Sequence, residues 1–132
     1  MKPERMGKNR IHRVGDLQLQ ILKILWERGE ATVAQVLEGL TGTELAYTTV
    51  ATMLRKMESR GLVMHRAEGR SFVYRPKVKS DDVSHRMANH LVDRLFEGSL
   101  FDAVNHLLTT REVSRDELEK IERLIAEKRK ST

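Results

Sequence analysis

The chain has 132 residues, enough for one ordinary domain or a small domain with an appendage. Its 24 Lys and Arg outnumber 19 Asp and Glu, a formal net charge of +5 that favours a polyanionic partner. The lack of cysteine excludes disulfides, thiolate metal sites and thiol catalysis, and no stretch approaches the roughly 18 apolar residues of a membrane span, so a soluble, cytoplasmic protein with no membrane insertion is expected.

Charge is unevenly distributed. Up to Lys79 there are 15 Lys and Arg against 8 Asp and Glu; from Ser80 onward there are 9 against 11. A basic module joined to a segment of different purpose reads this way. Residues 1–13 hold Lys2, Arg5, Lys8, Arg10 and Arg13 with no hydrophobic period, the signature of a flexible basic arm, and no apolar run that would make a signal peptide follows them.

Asp16 is expected to cap a first helix carrying Leu17, Ile21, Leu22 and Leu25 and ending before Gly29. Thr32 is placed to cap a second, short helix with Val33, Val36, Leu37 and Leu40, broken by Gly39 and Gly42. A third helix is predicted from about Tyr47 to Arg60, with Val50, Met53, Leu54 and Met57 on its inner stripe. One turn between the second and third helices makes a helix-turn-helix. After Gly61 the period becomes alternating: 62–66 and 71–75 read as the strands of a β-hairpin turning at Gly69 and closed by Pro76. The fold expected for residues 14–79 is a winged helix, and the whole chain is mainly α with a small β-hairpin wing.

From Ser80 the pattern is helical again, with Val83, Met87, Leu91 and Leu95 at four-residue spacing. An apolar segment with Leu100, Phe101, Val104, Leu107 and Leu108 follows, and Ser114 with Glu117 marks a capping box for a last helix carrying Leu118, Ile121 and Ile125. Three helices in residues 80–132 are too few to bury a core unaided, so this region is expected to form a homodimer through Met87, Leu91, Leu95, Leu100, Phe101, Val104, Leu107, Leu108, Leu118, Ile121 and Ile125.

The chemistry-bearing residues are on the third helix and the hairpin. Thr48, Thr52, Arg55 and Ser59 line one outer face, Lys56 borders it, Thr49 also lies off the apolar stripe, and Glu58 is the only acid between Tyr47 and Arg60. Hydroxyls and cations bind phosphates and base edges. Arg66, Arg70 and Arg75 run along the hairpin, where they are expected to meet the backbone of double-stranded DNA. Six aromatics are too few for the stacking platforms of a single-strand binder. An enzyme is not indicated: the five histidines have no metal-ligand spacing, and there is no phosphate loop or nucleophile elbow, so no cofactor or metal is expected. A regulator that senses a small molecule between the two parts is the alternative that composition and pattern leave open.

Several segments together resemble the BlaI/MecI penicillinase-repressor family: Gly15-Asp16-Leu17, Ile24-Leu25-Trp26, Ala46-Tyr47-Thr48-Thr49-Val50, Gly61-Leu62-Val63, Tyr74-Arg75-Pro76 and Leu95-Phe96-Glu97-Gly98-Ser99. The resemblance implies a dimer that binds a palindromic operator and represses genes for β-lactam resistance or a related stress response. It also implies release by proteolysis in the C-terminal domain, triggered by a membrane sensor peptidase. The family's cut between asparagine and phenylalanine corresponds here to His106-Leu107, with Asn105 one place earlier. The C-terminal cysteine cluster of copper-responsive relatives is absent.

Overall fold

The computed structural model describes residues 14–42 and 44–132, so the expected basic arm at 1–13 lies outside the described residues. The elements run α1 (Asp16–Arg28), β1 (Ala31–Thr32), α2 (Val33–Gly39), α3 (Tyr47–Ser59), β2 (Val63–Glu68), β3 (Ser71–Pro76), α4 (Ser80–Leu95), α5 (Leu100–Thr110) and α6 (Arg115–Lys130). Two compact units divide between His90 and Leu91.

In the first unit, the apolar stripes anticipated for the three helices form one core. Ile21, Leu22 and Leu25 of α1, Val36 of α2, and Val50, Leu54 and Met57 of α3 are all fully buried. The start of α1 differs from expectation by one residue. Leu19 N–H bonds to the Gly15 carbonyl at 2.8 Å, which makes Gly15 the capping residue and Asp16 the first helical one. The carboxylate of Asp16 therefore acts as a first-turn charge facing the positive helix end rather than as a cap. Thr32 caps α2 as expected: its Oγ1 accepts from Gln35 N–H at 3.2 Å, and Gln35 Oε1 accepts from Thr32 N–H at 2.9 Å. Gln18, the buried polar residue of α1, donates through Nε2 to the Met53 sulfur at 3.4 Å and so joins α1 to α3.

The hairpin is a two-residue turn. Glu68 pairs with Ser71, leaving Gly69-Arg70 as the loop, and Gly69 takes the positive φ of +63° that its first central position requires. A third strand was not foreseen. Ala31 and Thr32 pair antiparallel with Tyr74 and Val73, giving the order β1-β3-β2. A two-residue strand has too little alternation to register as a period, and it is defined by its partner rather than by its own sequence. Trp26 closes this unit by donating its indole N–H to the Val78 carbonyl at 2.9 Å. Trp26→Phe leaves that carbonyl without its donor, and the expected cost is roughly 1–2 kcal/mol. In thermal unfolding followed by circular dichroism this lowers the midpoint by several degrees; an unchanged midpoint would remove the bond from the stabilising interactions.

The first compact unit runs past the expected boundary at 79/80. Val83 is 1% exposed and Met87 packs against the core of the first unit, so the early turns of α4 belong with the winged helix up to His90.

The second unit, Leu91–Thr132, has the opposite character. Ser99 caps α5 by accepting from Asp102 N–H at 3.1 Å, and Ser114 caps α6 by accepting from Glu117 N–H at 3.1 Å. Among its residues only Ala103 is buried. Leu95, Leu100 and Phe101 are 70%, 68% and 76% exposed, and Leu91, Val104, Leu107, Leu108, Leu118 and Ile125 are also exposed. Ile121 is half-buried. Leu124, 66% exposed, joins this apolar surface although its place in the sequence pattern had not singled it out.

Candidate nucleic-acid interface

The apolar stripe of α3 faces the core, which turns the opposite side of the helix outward. Thr48, Thr49, Arg55 and Lys56 are exposed and Thr52 is half-buried. Thr48, Thr49, Thr52 and Lys56, with Met53, line a shallow depression on this face. Arg55 Nη2 donates to Thr52 Oγ1 at 3.2 Å, so the two residues present their polar groups together. Glu58, the acid of α3, is turned to the wing: His65 Nδ1 donates to its two carboxylate oxygens at 2.7 and 2.8 Å. The His65 ring also lies 4.4 Å from Phe72 and 5.4 Å from Tyr74, centroid to centroid. This pair ties the end of the helix to the base of the wing and masks the one negative charge on the helix.

The wing arginines separate into two kinds. Arg66 is engaged by carboxylates: Nη1 and Nη2 donate to Glu30 at 2.7 and 2.9 Å, and Nη2 donates to Glu68 at 2.8 Å. The hydrogen bond from Arg66 holds the Glu30 carboxyl below its ordinary pKa, and the same bonds to Glu30 and Glu68 hold the Arg66 guanidinium above its own. Arg70, on the turn, and Arg75, on β3, are exposed and form no ion pair among the described residues. The residues that sequence reasoning missed are Glu30 and Glu68, which occupy Arg66, and Tyr47 and Phe72, which are 54% and 47% exposed despite their aromatic bulk. No local signal joins Glu30 to Arg66, 36 positions away. Tyr74, by contrast, is buried, and burial raises its phenol above the ordinary value.

The salt dependence of DNA binding is expected to separate the two kinds of arginine. Arg70→Ala flattens the slope of log affinity against log salt by about one unit, the contribution of one phosphate contact, whereas Arg66→Ala changes it less. Equal changes in the two variants would show that the carboxylates do not withhold Arg66 from phosphate.

The family model of the penicillinase repressor matches residues 14–127. The chain belongs to the penicillinase repressor family. Among curated members it is 34% identical over 121 residues to the transcriptional regulator BlaI of Mycobacterium tuberculosis, covering 89% of this chain and 86% of that one. It is 25% identical over 119 residues to the penicillinase repressor of Bacillus licheniformis, covering 89% and 93%. A solved structure of the DNA-binding domain of the repressor BlaI is 30% identical, covers 55% of this chain and 89% of its own, and superposes with a TM-score of 0.48. The helix-turn-helix and β-hairpin of its first unit give this member of the penicillinase repressor family a winged-helix fold. Among its described residues no helix is long and apolar enough to cross a membrane.

Proposed function

We propose that this chain binds a palindromic operator in double-stranded DNA as a homodimer and represses the genes it controls. Each protomer lays the outer face of α3 in the major groove and the β2-β3 wing beside the backbone. The observation that carries the reading is the cationic, hydroxyl-rich face of α3, whose one acid is bound to His65 rather than exposed alone. On this reading Thr48, Thr49 and Thr52 meet base edges, while Arg55, Lys56, Arg70 and Arg75 hold phosphates. Arg66 acts chiefly by holding the wing to Glu30. The exposed apolar surface of the second unit is the dimerisation surface, since a helical segment that buries so little of its own apolar area is stabilised by a partner.

The regulated genes are those for β-lactam resistance or a related stress response, in keeping with the family. Release comes by proteolysis in the second unit, triggered by a membrane sensor peptidase and directed at His106-Leu107 in α5. The test is binding to a duplex carrying the palindrome upstream of the protein's own gene, against a scrambled duplex at moderate salt. One dimer per palindrome with clear preference supports the reading; equal, weak binding to both rejects it. Mass spectrometry of the protein from induced cells checks the release step, and an intact chain under induction would discard proteolysis.

A further inference from the structure

Tyr47 and Arg55 of α3 and Arg70 and Phe72 of the hairpin line a cleft of about 130 Å³, floored by the buried Val33 and Tyr74. The volume is well below the roughly 300–1,000 Å³ of small-molecule sites, so the occupant is either a small group or one projecting part of a larger molecule. The chemistry of the walls is specific. Two guanidinium groups lie on different elements, and among the described residues neither is paired with a carboxylate: Arg55 bonds Thr52, and Arg70 is not in an ion pair. A phenol hydroxyl can add a third donor, and the exposed Phe72 ring supplies an apolar wall beside them.

Three donors around an anion, with an apolar wall at one side, fit a phosphodiester and the sugar attached to it. A free inorganic anion would have no use for the ring.

We propose that this cleft receives one DNA backbone phosphate with its deoxyribose, and that Tyr47 and Phe72 are positioning residues for the duplex. The inference rests on the DNA-binding reading and deepens it. A phosphate gripped at once from α3 and from the wing fixes the helix in register along the groove, which phosphate contacts from one element alone do less well. Tyr47 donates to the phosphate together with Arg55 and Arg70; Phe72 packs on the sugar. The base edges are left to the threonines of α3.

The experiment uses the full-length protein and a set of operator duplexes, each with one phosphate replaced by a neutral methylphosphonate. For the wild type, one position in each half-site should cost roughly tenfold in affinity, the effect of losing charge-assisted hydrogen bonds. Tyr47→Phe and Phe72→Leu, which keep a ring and an apolar side chain respectively, should bind the unmodified duplex several-fold more weakly. On the duplex modified at that position they should lose little more. Thermal midpoints equal to the wild type confirm that the variants are folded, and Arg70→Ala provides a third variant expected to couple to the same position.

Losses in the Tyr47 and Phe72 variants that are the same on every modified duplex, or no losses at all, would overturn the proposal while leaving operator binding intact. A flat scan, with inorganic phosphate raising the thermal midpoint of the wild type but not of Arg55→Ala, would also overturn it by reducing the cleft to an anion site. Wild-type protein that does not prefer the operator would instead refute the DNA-binding reading beneath it.

Discussion

Phe101→Asp is expected to convert the protein to a monomer and to lower affinity for a palindromic operator by about two to four orders of magnitude. Phe101 is 76% exposed on α5, in an apolar surface that includes Leu100, Val104, Leu107 and Leu108. If two copies pair through this surface as proposed, a carboxylate at residue 101 has to be stripped of water on association, and the pairing is lost. The large effect on DNA follows from geometry. Two half-sites bound by linked protomers share one association cost, whereas separate protomers meet it twice. The winged helix should remain folded, because its core lies in the first unit. Sedimentation equilibrium gives the oligomeric state, and titration of full and half operators gives the affinities. A variant that stays dimeric removes Phe101 from the interface. A monomer that keeps wild-type operator affinity would show that the two half-sites are read independently.

The second large effect comes from two neighbours on α3 with opposite duties. Leu54 is fully buried and Arg55 is exposed on the outer face. Leu54→Ala removes core volume and leaves a cavity, for an expected destabilisation of about 2–5 kcal/mol. That is a large share of the roughly 5–15 kcal/mol of a typical domain. Denaturant unfolding should show it plainly, and the protein that remains folded should retain its preference for operator over random DNA.

Arg55→Ala reverses the pattern. Stability should stay within about 0.5 kcal/mol of the wild type, as for most surface changes. Binding should weaken by roughly 1–3 kcal/mol, by a similar amount on operator and random DNA, as for a phosphate contact. A loss confined to operator DNA would instead make Arg55 a reader of a base edge. A destabilised Arg55→Ala variant would mean that its bond to Thr52 supports the helix.

Residues close in sequence carried most of the legible information. The 3.6-residue stripe of Val50, Leu54 and Met57, the Thr32 cap with Gln35 three positions on, and Gly69 between two alternating runs each record a local rule, and the structure obeys all three. The outer face of α3 was readable for the same reason: once the inner stripe is known, the other side of a helix is also known. The start of α1 was misplaced by one residue because Gly15, with no side chain to cap, is inconspicuous beside Asp16.

Features made by distant partners were not readable. The four-residue spacing of Val83, Met87, Leu91 and Leu95 shows one apolar helix face but not what covers each turn of it. Val83 and Met87 belong with the winged helix, while Leu91 and Leu95 are exposed in the second unit. Arg66 looked like its neighbours Arg70 and Arg75 until Glu30 came beside it from just before β1. The cleft of Tyr47, Arg55, Arg70 and Phe72 exists only because the hairpin packs beside α3.

The sequence by itself therefore determined the helices, the wing, the basic outer face and the family, since periodicity, caps and turn residues are properties of neighbours along the chain. Only the tertiary structure decided which apolar residues find cover, which arginine is already occupied by carboxylates and which side chains share a cleft. Burial and pairing depend on distances between residues far apart in sequence, and a local pattern contains no such distances.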